Sequence, residues 1–243
     1  MNRWVEAARP RTLPLAVASI LLGNLIALTE GHFSFSIAAL AIFTTLFLQI
    51  LSNFANDLGD TLNGIDTKNR TVAQRTVQTG KISIPEMKNA VKLFGILSFI
   101  SGIYLIYIGL KDSTIQDFVV FLLLGLLAIL AAITYTIGKK PYGYLGLGDF
   151  SVFLFFGLVG TCGSYYLQTK VFEWSILLPA SSSGLLSVAV LNLNNLRDIE
   201  NDRMNGKFSV PVRIGKEKGF IYQKSLYLLA ILSSFIYLIF QEK

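Results

Sequence analysis

Two clusters of acidic and amide residues stand out because each directly follows a long apolar run. The first is NFANDLGD at 53–60, and the second is NNLRDIEND at 194–202. Ionisable residues at the depth of a membrane are costly, and those that occur there usually serve binding or catalysis. We therefore expect the functional site at these two clusters.

Helical spacing gives each cluster one polar face, because residues three, four or seven apart lie on the same side of a helix. Each cluster then presents two carboxylates about one turn apart, with amides beside them. The residues are Asn53, Asn56, Asp57 and Asp60 in the first cluster, and Asn194, Asn195, Arg197, Asp198 and Asp202 in the second. The sequences DTLNG at 60–64 and DRMNG at 202–206 also share the pattern DxxNG. They indicate either two halves facing one site or two similar helix ends.

Paired carboxylates repel each other, a cost that is offset if a cation lies between them. Oxygen ligands without Cys or His suit Mg²⁺, which keeps several waters and shares its coordination with substrate phosphates. The sequence therefore predicts a Mg²⁺ site with ligands Asn56, Asp57, Asp60, Asp198 and Asp202. The alternative is that both clusters are solvated helix caps just outside the membrane.

The loop after the first cluster, IDTKNRTVAQRTVQTGKIS at 65–83, is rich in basic residues and also contains Asp66. Arginine binds phosphate oxygens with two parallel hydrogen bonds and can neutralise a leaving diphosphate. Arg70, Arg75 and Lys81 are therefore candidate diphosphate ligands. Some of this charge is also expected from membrane topology alone.

A second loop candidate is AAITYTIGKKPYGYLGLGD at 131–149, which carries Tyr135, Lys139 and Lys140 at the end of an apolar run. Aromatic residues at this depth are often interfacial anchors, as expected for Tyr142 and Tyr144. The ring of Tyr135 could instead face the site and stabilise a cation. The residues alone leave both interpretations open.

The elements that must position these residues are transmembrane helices. The chain has 243 residues, of which 53% are hydrophobic and 15% charged, and its mean hydropathy is +0.57, which is far too apolar for an ordinary soluble domain. Stretches of roughly 20 apolar residues can span the bilayer. We predict an all-α, polytopic transmembrane bundle with seven spans, at 13–29, 37–56, 91–110, 118–137, 149–167, 174–194 and 220–240.

Basic residues fix the expected orientation. All Lys and Arg residues except Lys111, Lys170 and Lys243 lie in or beside the segments that are cytoplasmic if the N-terminus is cytoplasmic. The positive-inside rule therefore places the N-terminus and both acidic clusters on the cytoplasmic side. The net charge of +6 follows this topology and forms no soluble basic patch, so we expect no nucleic-acid partner.

The combined features indicate an isoprenoid diphosphate as substrate, with its head group at the metal and its tail in the bilayer. Nucleophilic chemistry by Cys or His is not expected, because the single Cys162 lies in an apolar run and the single His32 lies away from both clusters. With these features in place, the sequence resembles the UbiA superfamily of intramembrane aromatic prenyltransferases. The stretches that carry the resemblance are ARPRTLPLA at 8–16, NDLGDTLNGIDTKNR at 56–70, YGYLGLGDFSVFLFFGLVGTCGSYY at 142–166 and LNNLRDIENDRMNGKFSVPVRIG at 193–215.

The resemblance extends to one branch, whose members transfer a polyprenyl group to 1,4-dihydroxy-2-naphthoate in menaquinone synthesis. It implies a Mg²⁺-dependent enzyme that uses polyprenyl diphosphate and a small aromatic acceptor in a bacterial inner membrane. The allylic diphosphate would ionise, and the naphthoate would then attack the cation and lose CO₂, giving demethylmenaquinone.

The resemblance also implies roles for individual residues. Arg70 and Arg75, with Lys81 nearby, match basic diphosphate contacts, and Tyr135 is kept as a catalytic candidate. The first metal-diphosphate motif would consist of Asn56, Asp57, Asp60 and Asp66, the second of Asp198 and Asp202, and the further substrate contacts of Asn53, Asn195, Arg197, Lys139 and Lys140. Asp66 lies six residues after Asp60, where the superfamily pattern has four.

Members of the superfamily have nine helices in a ring. The resemblance therefore implies that residues 1–243 form a single prenyltransferase domain that is incomplete at its C-terminus. Competing hypotheses remain: another aromatic acceptor such as 4-hydroxybenzoate or homogentisate, or a transporter with acidic ion sites. A transporter's ion site is expected near the bilayer midplane, whereas these acids lie at one membrane edge. A CDP-alcohol phosphatidyltransferase is disfavoured because its DGxxAR motif is absent.

Overall fold

The computed structural model describes residues 2–64 and 75–241. Asp66 and Arg70, both predicted site residues, lie outside the described residues. The described part of the chain is helical and contains no strand. Its α-helices are α1 (Arg3–Ala8), α2 (Leu13–Thr29), α3 (Phe35–Leu62), α4 (Ile84–Gly109), α5 (Ile115–Thr134), α6 (Gly148–Val152), α7 (Gly160–Thr169), α8 (Leu177–Arg197), α9 (Ile199–Met204), α10 (Val210–Ile214) and α11 (Lys216–Gln241).

Within the described residues, seven helical segments are long and apolar enough to cross a membrane, which confirms the predicted all-α transmembrane bundle. They are Arg3–Thr29, Phe35–Leu62, Ile84–Gly109, Ile115–Thr134, Gly148–Thr169, Trp174–Arg197 and Lys216–Gln241. Several begin or end beyond the predicted apolar runs. The third begins at Ile84 because Ser83 and Glu86 form a capping box, with each side chain accepting a hydrogen bond from the other's backbone N–H.

Helix α3 carries the first acidic cluster on its last three turns. Its 28 residues extend over about 42 Å at about 1.5 Å per residue, whereas the hydrocarbon core is about 30 Å thick. The apolar run ends at residue 56, and the helix continues to Leu62, as the helical spacing of the first cluster indicates. Its polar last turns are therefore longer than the membrane requires and can project toward the other segments at this end of the bundle.

The fifth span is not a continuous α-helix. Between α6 and α7 the chain forms a π-helix, Phe153–Val159. Within it, Gly157 lies against α8, where a Cβ on Gly157 would be 2.6 Å from the Cα of Gly184. Small residues allow such close helix crossings in membranes, and π-helical turns often occur near functional sites.

Antiparallel connections bring one set of helix ends together. The spans alternate in direction, so the end of α3, the end of α5 and the end of α8 all lie at the same end of the bundle. The segments that follow them, including residues 75–83, 135–147 and 198–215, lie at this end too. Both acidic clusters are thus on one side of the fold.

Candidate active site at one end of the bundle

Gly59 allows the first acidic cluster to pack tightly against the end of α5. A Cβ at this position would lie 2.6 Å from the carbonyl oxygen of Thr136. The Thr136 hydroxyl donates to the Ala55 carbonyl at 2.9 Å and lies 3.1 Å from the side-chain oxygen of Asn56. Asn63 donates back to the Thr136 carbonyl at 2.9 Å. These contacts fix the segment after α5 against the cluster.

Asp60 lies at the centre of the first cluster. It is 4% exposed, forms an ion pair with Arg75 and accepts a hydrogen bond from the Tyr144 hydroxyl. Burial raises the pKa of Tyr144, and the negative charge of Asp60 raises it further, so the phenol keeps its proton and remains a donor. One carboxylate therefore joins three segments of the chain.

Asp57 has a different environment from Asp60. It is 2% exposed, and its carboxylate accepts hydrogen bonds from the backbone N–H and hydroxyl of Thr76, at 3.1 and 2.5 Å. The backbone N–H of Val77 donates to its other oxygen at 3.3 Å. Asp57 therefore anchors the turn at 76–80, and this turn places Arg75 beside Asp60.

The second cluster lies at the junction of α8 and α9. Arg197 donates two hydrogen bonds to Asp198, both at 3.0 Å. Asp202 is 3% exposed, and the Lys207 ammonium lies 3.1 Å from its Oδ2. That oxygen is buried, and no described residue other than Lys207 donates to it. It is thus oriented toward a positive charge but retains acceptor capacity.

Asp60 and Asp202 come from the two clusters, and the segments that bind them are in contact, since Tyr144 donates to Asp60 and Lys207 pairs with Asp202. Burial raises the pKa of Asp202, the charge of Lys207 lowers it, and the charges of Asp198 and Asp60 raise it. A backbone hydrogen bond of 2.9 Å from Phe208 to the carbonyl of Tyr144 links the two halves further. The structure therefore brings both clusters to one site.

The hydroxyl of Tyr135 points into the same region. Its ring packs over two glycines: a Cβ at Gly143 would lie 2.9 Å from ring carbons, and one at Gly148 would lie 2.7 Å from the hydroxyl oxygen. Burial raises the pKa of Tyr135, and the negative charges around it, including those of Asp60 and Asp202, add to the effect. Tyr135 therefore keeps its proton, and its hydroxyl lies beside Gly148.

The chain's relatives identify the family to which this site belongs. Residues 16–242 match the UbiA prenyltransferase family. The chain belongs to that family. The 1,4-dihydroxy-2-naphthoate octaprenyltransferase of Haemophilus influenzae is 50% identical to it over 224 residues, covering 91% of this chain and 72% of the relative. The protein of the same name from Escherichia coli is 49% identical over 213 residues, covering 88% and 68%.

Solved structures show the same fold. A UbiA homologue from Archaeoglobus fulgidus, bound to GPP and Mg²⁺, matches with a TM-score of 0.70 and 18% identity, covering 98% of this chain and 78% of the other. A digeranylgeranylglyceryl phosphate synthase matches with a TM-score of 0.63 and 21% identity, covering 98% and 77%. The described helices therefore have the UbiA fold.

The remaining predicted site residues of this UbiA family member occupy different places. Asn53 is buried and donates to the Ala8 carbonyl and to the Thr12 hydroxyl, so it holds the N-terminal segment against α3. Lys81 pairs with Glu6 at 2.8 Å. Asn195 is 5% exposed in the last turn of α8, whereas Lys139 and Lys140 are exposed beyond α5. Of the basic candidates within the described residues, Arg75 is the one paired with a cluster carboxylate of α3.

Other residues of the site were not anticipated from the sequence. Tyr144, predicted as an interfacial anchor, is 8% exposed and bonds to Asp60. Thr76, Thr136 and Lys207 also contact the clusters. Lys207 directly follows the DRMNG repeat, a position that could have suggested it. The other contacts depend on chain crossings that no local pattern reveals.

The carboxylates of the site fit a Mg²⁺ ion that is also bound by substrate phosphates and water. Within residues 2–64 and 75–241, no three His, Cys, Asp or Glu residues are placed to hold a metal by themselves. Mg²⁺ often binds through one or two carboxylates together with substrate phosphates and water. Asp60 and Asp202 are two such carboxylates, and the buried Oδ2 of Asp202, which has Lys207 as its contact among the described residues, keeps room for a further ligand. Asp57 is disfavoured because its carboxylate already accepts bonds from Thr76 and Val77.

Proposed function

We propose that this protein transfers a polyprenyl group from polyprenyl diphosphate to 1,4-dihydroxy-2-naphthoate, releasing diphosphate and CO₂ and forming demethylmenaquinol, the reduced form that a separate two-electron oxidation converts to demethylmenaquinone. The observation that carries the proposal is that buried Asp60 and Asp202, from the two motifs, lie at one end of an apolar bundle and are connected through Tyr144, which donates to Asp60 and accepts a hydrogen bond from the backbone of Phe208. The naphthoate acceptor is proposed because relatives of 49 and 50% identity carry that name.

Mg²⁺ is the proposed cofactor, held by Asp60 and Asp202 with help from Asp198 and the amide of Asn56. When bound, it would neutralise charge on the diphosphate and so favour its departure. Solved structures of UbiA homologues bound to GPP or DMAPP and Mg²⁺ support this assignment. Asp57 is proposed to support the site by fixing the turn at 76–80.

Basic residues at the site would stabilise the leaving diphosphate. Arg75 and Lys207 each pair with a buried carboxylate of the two clusters. A guanidinium and an ammonium held in this way can bind phosphate oxygens while the carboxylates keep them in position. We retain Arg70 and Asp66, outside the described residues, as predicted contributors from the adjoining loop.

The carbon–oxygen bond of the allylic diphosphate would break toward diphosphate and leave a delocalised cation. The apolar spans would keep water away from that cation. The ring of Tyr135 is proposed to stabilise it, because the neutral phenol lies among the carboxylates of the site. The acceptor carbon that carries the carboxyl group would then form the new carbon–carbon bond.

The protein is an integral membrane protein, and we propose that it lies in a bacterial inner membrane with its N-terminus and site on the cytoplasmic side. The distribution of Lys and Arg supports this orientation. Water-soluble naphthoate and magnesium would then reach the site from the cytoplasm, while the polyprenyl tail stays in the bilayer.

Prenyl transfer by the purified protein in detergent or lipid tests the proposal. Octaprenyl diphosphate would be offered with 1,4-dihydroxy-2-naphthoate, 4-hydroxybenzoate or homogentisate, with Mg²⁺ or with EDTA. Of the three acceptors, we expect only the naphthoate to give product and CO₂, and we expect this reaction only when Mg²⁺ is present. Transfer to another acceptor would replace the naphthoate assignment, and absence of any transfer would contradict the proposed activity.

A further inference from the structure

Asp149 is a carboxylate near the site that the proposed diphosphate chemistry does not use. It follows Gly148 at the start of α6 and is partly buried. The hydroxyl of Tyr222, on α11, donates a hydrogen bond of 2.9 Å to its Oδ2. A partly buried carboxylate needs a partner, but one hydrogen bond leaves most of its acceptor positions available.

Tyr135 connects Asp149 to the rest of the site. The Tyr135 hydroxyl lies directly over Gly148, since a Cβ at that glycine would be 2.7 Å from the phenolic oxygen. The same hydroxyl lies within electrostatic reach of Asp149, Asp60 and Asp202. It makes no hydrogen bond to another residue among those the structure describes. Asp149 therefore shares one polar region with the two clusters.

The side of the site at Asp149 is more apolar than the side at Asp60. Val152 and Phe153, which follow Asp149, pack with Tyr222 against the buried cluster of α8 and α11. Asp60, by contrast, has a cationic partner, Arg75. An apolar wall with one tyrosine-bound carboxylate suits a flat aromatic molecule with hydroxyl groups, whereas a diphosphate requires positive charge.

We propose that Asp149 binds the acceptor hydroxyl adjacent to the reacting carbon and acts as the base that transfers its proton. This inference rests on the proposed function and assigns the acceptor end of the site. Tyr222 is a positioning residue, because its hydroxyl holds the Asp149 carboxylate.

The proton transfers balance without another reactant. As the ring carbon bearing the carboxylate bonds to the prenyl cation, the neighbouring O–H bond breaks, its electrons form a C=O bond and Asp149 takes the proton. The product is a β-keto carboxylate. When CO₂ leaves, the electrons of the broken carbon–carbon bond restore the aromatic ring, and Asp149 returns the proton to the oxygen. Asp149 is thus unchanged after one turnover.

The test compares Asp149→Asn with wild type, in full-length protein, for steady-state transfer to 1,4-dihydroxy-2-naphthoate. General acid–base groups contribute about 10²- to 10⁴-fold, so we expect kcat to fall about 100-fold or more. The Mg²⁺-dependent Kd for octaprenyl diphosphate should stay within about twofold. Tyr222→Phe, which leaves the carboxylate in place, should reduce kcat by a smaller factor of about 10, as expected for one hydrogen bond to a charged group.

A matched control pair lies at the other end of the bundle. Asp117, in the first turn of α5, accepts a hydrogen bond of 2.8 Å from the Tyr166 hydroxyl. Asp117→Asn and Tyr166→Phe therefore remove the same type of contact far from the site. Both variants should keep wild-type kcat.

The outcomes separate this inference from the proposed function. An inactive wild type would overturn the proposed function. An active wild type with near-normal kcat in Asp149→Asn would overturn only the assignment of Asp149. If Asp149→Asn weakened diphosphate binding by as large a factor as it lowered kcat, the effect would be structural and the assignment would be contradicted. The same would follow if Asp117→Asn lowered kcat as much as Asp149→Asn does.

Discussion

The three buried carboxylates of the site are each stabilised by a different set of partner residues. Asp60 has a guanidinium and a phenol, Asp202 has the ammonium of Lys207, and Asp57 has hydrogen-bond donors of one turn. Buried charge without such partners would be strongly destabilising. The three arrangements imply different consequences of mutation, because only the first two combine an acid with a base beside the proposed diphosphate.

Asp57→Asn should act mainly through stability. The Asp57 carboxylate accepts three hydrogen bonds from Thr76 and Val77, and hydrogen bonds to a charged group are worth about 1.5–3 kcal/mol each. Asparagine keeps one acceptor oxygen, so about one of these bonds is lost, and we expect the variant to lose about 1.5–3 kcal/mol of unfolding free energy, measured by thermal or denaturant unfolding in detergent. Exposed Asp112→Asn is the control and should unfold like wild type. Unchanged stability of Asp57→Asn would contradict the anchoring assignment.

Tyr144→Phe should act mainly on activity. The variant removes the hydrogen bond to Asp60 and keeps the ring, so we expect kcat/KM for prenyl transfer to fall about 10- to 100-fold, corresponding to about 1.4–2.7 kcal/mol. Tyr165→Phe removes a comparable bond of 2.6 Å to Glu30 at the other end of the bundle. Its transfer rate should remain normal, and a loss as large as that of Tyr144→Phe would argue against a local effect.

Sequence patterns identified the acidic residues but not their partners. The helical spacing of Asp57 and Asp60 predicts that both lie near one face of α3, and the structure places them on the same helix. The spacing does not show that a turn beginning at Thr76 binds one of them while Arg75 pairs with the other. These contacts are set by tertiary packing around residues 75–80, which has no helical or strand period.

Close packing of α3 against the end of α5 positions the residues of the site. Gly59 lies between the two carboxylates of the first cluster, and Thr136 occupies the space that its side chain would take. The end of α5 can therefore approach α3 closely enough for the Thr136 and Asn63 hydrogen bonds. This approach also places Tyr135, the preceding residue, near Asp60.

Gly59→Ala should separate α3 from the end of α5. The added methyl group would lie 2.6–2.7 Å from Thr136 atoms, and overpacking of this kind costs about 1–3 kcal/mol. We expect lower unfolding stability together with reduced prenyl transfer. Gly95→Ala, on α4, is the matched control because a Cβ there meets no atom within 4 Å. If Gly59→Ala and Gly95→Ala had the same unfolding stability and transfer rate, the close contact of Gly59 with Thr136 would not be needed for the site.

The seven spans could be predicted because each contains an apolar run, but some of their ends could not. The cap at Ser83 starts α4 before the apolar run predicted at 91–110, whereas the helical spacing of the first cluster already indicates that α3 continues beyond its apolar run. The π-helix at Phe153–Val159 was also missed. It coincides with the close contact of Gly157 and Gly184, and such a contact between distant segments leaves no local period in the sequence.

The two ends of the helical bundle differ. One end carries the site and its polar segments, and the other carries short connections between spans. Lys140 is exposed before the fifth span, and Phe172 is exposed after it, so the two residues lie at opposite ends of that span. The distribution of basic residues indicates that the end with Lys140 faces the cytoplasm.

Cysteine labelling tests this orientation. In a Cys162→Ser background, which removes the only native thiol, Phe172→Cys should react with a membrane-impermeant maleimide in intact spheroplasts. Lys140→Cys should react only after permeabilisation. The reverse pattern would contradict the orientation, and the Cys162→Ser protein without an added cysteine provides the background signal.

The central claim is that both acidic motifs act on one Mg²⁺-bound diphosphate. The most direct measurement is the Mg²⁺-dependent Kd for a non-reactive octaprenyl diphosphate analogue, determined for wild type, Asp60→Asn, Asp202→Asn and the double variant. Residues that share a site are non-additive, so the account predicts that each single variant weakens binding at least about 10-fold and that the double variant is little worse than either. Additive losses, or binding that does not depend on Mg²⁺, would contradict the account.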